Sequence, residues 1–190
     1  MTEQPVRVAV LVSGGGTNLQ ALLDALHDSP IARVARVISN RPDAGALARA
    51  RRAAVPTTIL RDPSDPAELL AALGDAQLVV LAGYLKLVPA SVVSRFRGRM
   101  INIHPALLPD FGGPGMYGHY VHEAVLASGA KESGVTVHFV DEVFDRGEII
   151  AQERVRVAPG DTPDSLASRI LEAEHRLLPK VVLDLAKEIA

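Results

Sequence analysis

Short apolar runs alternate with amphipathic stretches along the first two thirds of the chain. The runs are rich in β-branched residues, as strands usually are, and they cover 6–12, 34–39, 57–60, 78–82 and 100–105. The stretches between them repeat apolar residues at helical spacing, most clearly at Leu19, Leu22, Leu23 and Leu26. Strands that alternate with helices are typical of an α/β fold with a doubly wound, mostly parallel sheet and helices on both faces. We therefore predict this fold class.

The pattern changes in the last third of the chain. Two further strands are predicted at 134–140 and 149–157, separated by an acidic turn. A long helix should follow, with Thr162 as its N-cap, and Pro179 should kink or restart it. Glu174 stands on the apolar stripe of this helix. A carboxylate at such a position lies either at the edge of the stripe or against a ligand.

The run at 100–105 carries the strongest chemical signal. Residues two apart in a strand point to the same side, so Asn102 and His104 should project together from the strand's end, which Pro105 closes. An amide can stabilise a developing oxyanion, and an imidazole can move a proton. The pair therefore suggests carbonyl chemistry, although Asn and His could equally mark the end of a buried strand.

A glycine-rich loop follows the first predicted strand and opens a helix. Its residues Gly14, Gly15 and Gly16 precede Thr17 and Asn18. Backbone amides at a helix N-terminus favour an anion, and glycine lets the backbone approach it closely. The loop has neither the G-x-G-x-x-G pattern nor the lysine of a P-loop. This favours a small phosphate over a dinucleotide, and the alternative is a tight turn that requires positive φ.

The acidic turn before the last strand supplies a possible third catalytic group. Asp145 lies forty-one residues after His104, on the loop between the last two predicted strands, from where its carboxylate could reach the imidazole, fix its orientation and favour its charged form. Asp141 and Glu142 are interpreted as solvated turn residues. In the strand before this turn, Thr136 and His138 should face away from the apolar side.

Composition limits the classes of partner. The 190 residues suffice for one domain, and the net charge of -2 gives no reason to expect nucleic acid or an anionic membrane. The N-terminus has no pattern of a signal peptide, and the longest apolar run, 78–85, is too short to span a bilayer, so we expect a cytoplasmic protein. His119 and His122 could share a metal on a helix, but no further ligand is suitably spaced, and no metal is expected.

Three segments together resemble the phosphoribosylglycinamide formyltransferase family. They read LVSGGGTNLQALL near the start, NIHPALLP in the middle and GVTVHFVDEVFDRGEIIAQ later. The resemblance runs in order from residue 6 to about 178, so it implies one formyltransferase domain over 1–190 with a Rossmann-like fold. The middle segment is shared with other enzymes that use 10-formyltetrahydrofolate, whereas the glycine loop indicates the ribonucleotide substrate.

The resemblance also implies roles for particular residues. The implied catalytic residues are Asn102, His104 and Asp145. The implied contacts with the ribonucleotide are Gly16, Thr17 and Asn18 at its phosphate and Glu174 at its ribose. The implied folate-binding residues are Leu85, Lys86, Leu87, Val88, Asn102 and Val140.

The implied reaction is direct formyl transfer between two small molecules. The amine of 5-phosphoribosylglycinamide attacks the formyl carbon of 10-formyltetrahydrofolate, the co-substrate, while Asn102 and protonated His104 stabilise the oxygen of the intermediate. Asp145 should raise the pKa of His104 so that enough imidazolium exists near neutral pH. The active form would be a monomer or a homodimer.

Two departures and two alternatives accompany this interpretation. The stretch 111–118 is interpreted as a mobile active-site loop because it is rich in glycine. The loop after Pro109 is longer and richer in glycine than in the family, so His119, which follows it, receives no role. The family's arginine after the third strand has Arg61 as its nearest candidate here.

A formyltetrahydrofolate deformylase would use a similar trio with water as acceptor. A non-catalytic protein that binds a phosphorylated metabolite would use the glycine loop alone.

Overall fold

The computed structural model describes residues 4–189, and its core is one seven-stranded sheet. The strands are β1 (Val6–Val12), β2 (Ala32–Ser39), β3 (Thr57–Ile59), β4 (Leu78–Leu81), β5 (Met100–His104), β6 (Glu132–Phe139) and β7 (Ile149–Arg156). The helices are α1 (Thr17–Leu26), α2 (Gly45–Arg52), α3 (Pro66–Leu73), α4 (Ala90–Arg95), α5 (His119–Ala127) and α6 (Pro163–Ile189). Where the sequence pattern gave both ends of an element, the observed ends lie within two residues of them.

The strand order in the sheet is β3-β2-β1-β4-β5-β6-β7. The first five strands pair in parallel, whereas β6 pairs antiparallel with both β5 and β7. The prediction of a mostly parallel, doubly wound α/β sheet is confirmed. Because the chain leaves β1 toward β2 and returns to β4 on its other side, the carboxyl ends of β1 and β4 form a switch point, where open α/β sheets usually bind ligands.

Helices cover both faces of the sheet. Along β1, Val8 and Val10 face a core that includes the apolar sides of α1, α5 and α6. The alternate residues Ala9 and Leu11 face a second core under α3 and α4. Each fully buried aliphatic side chain of this kind contributes about 1.5–3 kcal/mol of transfer free energy. The same alternation applies along β5. Ile101 and Ile103 pack into the first core, and Asn102 points to the opposite face of the sheet, where its amide contacts other polar side chains.

Of the two outcomes predicted for helix α6 at Pro179, a kink or a restart, the structure excludes the restart. The N-cap prediction is confirmed, since Thr162 Oγ1 accepts a hydrogen bond of 3.2 Å from the Ser165 amide. The helix does not restart at Pro179, which is buried inside one continuous helix. Proline removes a backbone hydrogen bond there. Packing on both sides of the proline compensates, because Leu178 and Val182 are fully buried in the first core.

In the part of the chain that the structure describes, no helix combines the length and apolar character needed to cross a membrane.

Candidate functional site

A cavity of about 710 Å³ opens beyond the carboxyl ends of β1, β4 and β5. Its walls come from the loops that follow these strands, from 113–119 and from one side of α6. The residues singled out from the sequence that line it are Thr17, Asn18, Leu85, Lys86, Leu87, Val88, Asn102, His104, Val140, Asp145 and Glu174. Segments far apart in the sequence thus meet around one space.

Gly16 is required for the conformation of the backbone at one end of the cavity, although its own atoms do not line the cavity. It caps α1 in the left-handed region, with φ of 76°. A Cβ built on it would lie 2.6 Å from Cβ of Ala46 in α2, which is too close for any side chain. Glycine therefore lets α1 start against α2, and this places Thr17 and Asn18 at the cavity.

Arg49 lies behind the glycine loop and was not identified from the sequence. Its Nε donates a hydrogen bond of 2.8 Å to the Gly15 carbonyl, and Nη1 donates one of 3.3 Å to Gln20. A guanidinium in this position adds positive charge next to the amides of the α1 N-terminus. The arginines of α2 are visible in the sequence. That one of them, Arg49, contacts the glycine loop follows only from the packing of α2 against this loop.

Glu174 faces the same end of the cavity from α6. It is 7% exposed, and its Oε2 accepts a hydrogen bond of 3.0 Å from Nδ2 of Asn18. Burial raises the pKa of Glu174 to about 7, and the hydrogen bond from Asn18 opposes this only in part. The carboxylate is therefore under-stabilised within the chain, and hydroxyl donors from a ligand would suit it.

His104 is buried where it lines the cavity and is held by two neighbours. Its Nε2 is 2.8 Å from the carbonyl oxygen of Phe111, and its Nδ1 is 3.6 Å from Oδ2 of Asp145. A carbonyl only accepts, so Nε2 carries the proton in the neutral ring. The nitrogen that gains or loses a proton is thus Nδ1, beside the carboxylate.

The pKa of His104 is lowered overall by burial, although Asp145 acts to raise it as expected. Burial of the ring lowers its pKa, and this outweighs the opposing effects of the Asp145 charge and the Phe111 carbonyl. Asp145 acts in the expected direction, but the ring is almost fully enclosed, and desolvation disfavours the imidazolium more strongly.

Asp145 is tightly held beside the two polar side chains of β5. Its backbone has φ of 54°, and its Oδ2 accepts a hydrogen bond of 2.9 Å from the Gly113 amide. Burial would raise the pKa of Asp145, but contacts with His138, His104 and Gly113 more than offset it and keep the pKa below its usual value. The carboxylate is therefore ionised at neutral pH. The trio predicted from the sequence is brought together here.

A second histidine, His138, completes this cluster and was not assigned a role from the sequence. It pairs with Asn102 across β5 and β6, and its Nε2 lies 3.1 Å from the Asn102 amide nitrogen and 3.6 Å from Oδ1 of Asp145. The signal was the alternation in β6, which turns His138 away from the apolar face. Its partner could not be identified without the antiparallel register.

The wall opposite α6 is apolar and open. Leu85 and Leu87 are 47% and 48% exposed on it, and Val143 is exposed across the cavity mouth. Exposed aliphatic side chains grouped around a cavity favour a flat, partly apolar ligand. The loop that carries them is fixed to the glycine loop through Ser13, whose hydroxyl accepts a 2.9 Å hydrogen bond from the Leu85 amide.

The remaining candidates lie at the margin of the site or outside it. His119 is half exposed and pairs with Glu123 at 3.0 Å, whereas His122 is buried beside the cavity. Within residues 4–189, no group of three or more side chains is arranged to hold a metal ion. Arg61 is almost fully exposed beside Glu68 and does not line the cavity.

Comparison with known proteins gives a consistent result. A family model described as formyl transferase matches residues 6–182. The chain is 45% identical over 192 residues to a chloroplastic phosphoribosylglycinamide formyltransferase of Arabidopsis thaliana, covering 96% of the chain and 66% of that relative, just under two thirds of its length. It is 39% identical to the phosphoribosylglycinamide formyltransferase of Haemophilus influenzae, covering 93% of the chain and 85% of that relative.

Solved structures match the whole fold. The phosphoribosylglycinamide formyltransferase of Anaplasma phagocytophilum superposes with a TM-score of 0.89 at 39% identity, covering 96% of this chain and 87% of that one. A formyltetrahydrofolate deformylase of Pseudomonas syringae superposes with a TM-score of 0.86 at 27% identity, covering 98% of this chain and 63% of that one.

Proposed function

We propose that this chain, which belongs to the formyl transferase family, moves the formyl group of 10-formyltetrahydrofolate onto the amine of 5-phosphoribosylglycinamide. The products would be formylglycinamide ribonucleotide and tetrahydrofolate, a step of purine synthesis. One observation carries the proposal: a polar end suited to a phosphorylated sugar and an apolar wall suited to a folate meet at Asn102, His104 and Asp145. The relatives of Arabidopsis thaliana and Haemophilus influenzae described above carry the matching enzyme name.

His104 would act through Nδ1 in this reaction. The amine nitrogen attacks the formyl carbon, and the carbonyl oxygen becomes an oxyanion. Protonated Nδ1 of His104 and the amide N–H of Asn102 would stabilise that oxygen, since both side chains line the cavity and carry N–H donors. The bond from carbon to the folate nitrogen then breaks, the folate nitrogen gains a proton, and the amine nitrogen loses one.

Asp145 would make the charged state of His104 accessible. Burial lowers the pKa of the ring, so the imidazolium needs a nearby negative charge in order to form at all. The carboxylate supplies this charge, and its own low pKa keeps it ionised. Its role is therefore electrostatic and positional, and the proton itself resides on the histidine.

The ribonucleotide would lie across the start of α1. Backbone amides at Gly16, Thr17 and Asn18 would bind the phosphate, with Arg49 adding positive charge from behind the loop. Glu174 would accept hydrogen bonds from the ribose hydroxyls, which explains a carboxylate buried on an apolar helix face.

The folate would lie on the opposite wall. Leu85, Leu87 and Val88 would contact its ring system, and the backbone of this loop would offer polar groups. Lys86 and Val140 line the same part of the cavity. Burying these exposed aliphatic groups would add roughly 25 cal/mol for each Å² removed from water.

A deformylase is the second candidate, because a protein with that name superposes well on the chain. Its reaction needs only water as acceptor. The Asn18–Glu174 end favours a second organic substrate, since a hydrolase would have no use for a buried carboxylate remote from the reacting carbon. A non-catalytic binding protein would have no use for the Asn102, His104 and Asp145 cluster.

One assay separates the three functions. The protein is incubated with 10-formyltetrahydrofolate, with and without 5-phosphoribosylglycinamide, and release of tetrahydrofolate is followed. Release only with the ribonucleotide supports the proposal. Release without it identifies a deformylase, and no release in either case favours a binding protein. A single domain over 1–190, the cytoplasmic location and a monomeric or homodimeric state stay predictions.

A further inference from the structure

His138 is buried at the point where β6 pairs with Asn102 of β5, and it contacts two of the three proposed catalytic side chains. Its Nδ1 lies 2.8 Å from the carbonyl oxygen of Phe139. Because a carbonyl can only accept a hydrogen bond, Nδ1 must carry a proton. In the neutral ring this leaves Nε2 as an acceptor, directed at Asn102, whereas in the imidazolium form the N–H on Nε2 would face Oδ1 of Asp145 at 3.6 Å.

The orientation of the Asn102 amide follows from its neighbours. The atom placed as Nδ2 is 3.1 Å from His138 Nε2 and 3.4 Å from Oδ1 of Asp145. Both neighbours are acceptors, so an N–H group satisfies them, whereas the flipped amide would place an oxygen against two lone pairs. One N–H is therefore used by His138, and the second is only weakly held at 3.4 Å.

We propose that His138 is a positioning residue that keeps the amide nitrogen of Asn102, rather than its oxygen, directed at the reacting carbonyl. The Phe139 carbonyl fixes the tautomer of His138, and His138 in turn fixes the amide. The weakly held second N–H is then available to the developing oxyanion. The identity of that oxyanion rests on the proposed formyl transfer, but the tautomer and the amide orientation do not.

The two histidines of the site have opposite tautomers for the same physical reason. The Phe111 carbonyl holds the proton of His104 on Nε2, and the Phe139 carbonyl holds that of His138 on Nδ1. Each backbone carbonyl thereby selects which nitrogen faces the catalytic cluster. His104 presents a nitrogen that can be protonated beside Asp145, and His138 presents one that accepts from Asn102.

The first test is spectroscopic and needs no substrate. In the ¹⁵N-labelled protein, two-bond ¹H–¹⁵N correlations of the imidazoles distinguish a protonated nitrogen from an unprotonated one. We expect His138 with the proton on Nδ1 and His104 with the proton on Nε2, with signals assigned by their loss in His138→Gln and His104→Ala. A His138 ring protonated on Nε2 would overturn the proposal, whatever reaction the protein catalyses.

The second test is kinetic. His138→Leu removes the acceptor, and we expect kcat to fall roughly 10²-fold, as for loss of one oxyanion donor, while KM for both substrates stays within about two-fold. His138→Gln can present its side-chain oxygen near the position of Nε2, so it should recover kcat to within about ten-fold of the wild type. Near-normal kcat in the leucine variant, or no recovery in the glutamine variant, would contradict the role.

A matched control comes from the same strand. Ser133 is also buried in β6, its hydroxyl makes no hydrogen bond within the described residues, and it lies five residues away on the other face. Ser133→Ala should leave kcat unchanged. Circular dichroism shows whether His138→Leu folds. If it does not, the glutamine variant and the tautomer measurement test the positioning role of His138.

Discussion

The carboxylates at the two ends of the cavity have pKa values shifted in opposite directions. At the proposed catalytic end, Asp145 is surrounded by partners, and its pKa is kept below the usual value. At the proposed ribonucleotide end, Glu174 accepts a hydrogen bond from Asn18, and burial raises its pKa to about 7. Asp145 is stabilised by several groups of the chain itself, whereas among the described residues Glu174 receives a hydrogen bond only from Asn18.

This difference separates two tasks. A group that must act on a transition state needs its position and charge before the substrate arrives, which is preorganisation. A group that only binds a substrate can be left under-stabilised, because the ligand supplies the missing hydrogen bonds. Substitutions at the catalytic end should therefore reduce kcat, whereas those at the ribonucleotide end should change KM and stability.

The largest effect is expected for His104→Ala. Removing the group that protonates beside the reacting oxygen should lower kcat by on the order of 10²–10⁴-fold. Steady-state release of tetrahydrofolate measures this, with ribonucleotide KM as the comparison. A variant that kept near-normal kcat would remove His104 from the mechanism and erase the distinction between the two ends.

Asp145→Asn should have the next largest effect, a loss of roughly 10²-fold in kcat. The pKa of His104 should fall further in this variant, because the charge that raises it is gone while burial still lowers it. A ¹H NMR titration of the imidazole measures the shift. An unchanged pKa of His104 would show that the carboxylate does not influence the ring electrostatically.

Glu174→Gln should affect binding and stability without a comparable loss in kcat. Removing a charged acceptor for the ribose should raise ribonucleotide KM about 10–100-fold, as for a hydrogen bond to a charged group worth 1.5–3 kcal/mol.

The same variant should be more stable than the wild type at alkaline pH. The pKa of Glu174 is raised from 4.5 to about 7, so ionisation in the folded protein becomes costly. The stability of the wild type relative to the variant should thus fall as pH rises from about 4.5 to about 7 and then level off, by a total of about 3 kcal/mol at most. Urea denaturation at pH 5 and pH 8 measures this. Parallel pH profiles for the two proteins would contradict the burial of an unstabilised carboxylate.

The smallest effect is expected on the apolar wall. Leu87→Ser exposes no core, because Leu87 is already 48% exposed. Folate KM should rise only about three- to five-fold, consistent with the loss of about 1 kcal/mol of apolar contact, and ribonucleotide KM should not change. A matching rise in ribonucleotide KM would show that the two ends are not independent.

Local periodicity was sufficient to identify the sheet, its helices and the pair on β5. Asn102 and His104 follow from the alternation of one strand, and Glu174 stands out because a carboxylate breaks an apolar stripe. These signals depend on residues close in sequence, where the periods of strands and helices apply directly.

The features that sequence reasoning missed all depend on contacts between distant segments. The role of His138 requires the antiparallel register of β5 and β6, and that of Arg49 requires the packing of α2 on the glycine loop. The direction in which the pKa of His104 is shifted depends on how deeply the ring is buried, and a sequence motif does not reveal that burial. Pro179 is tolerated because packing on both sides of it outweighs a local helix-breaking preference.

The Asn18–Glu174 hydrogen bond has a consequence for synthesis of the chain. It joins residues 156 positions apart, between the first helix and the last. At about 5–20 residues per second, a ribosome would complete the β1 to β5 region roughly 3–12 s before it reaches the start of α6. During that interval α1 would lack a large part of its apolar cover. The nascent chain would expose this surface to chaperones, and ribonucleotide affinity would arise only when the final helix docks.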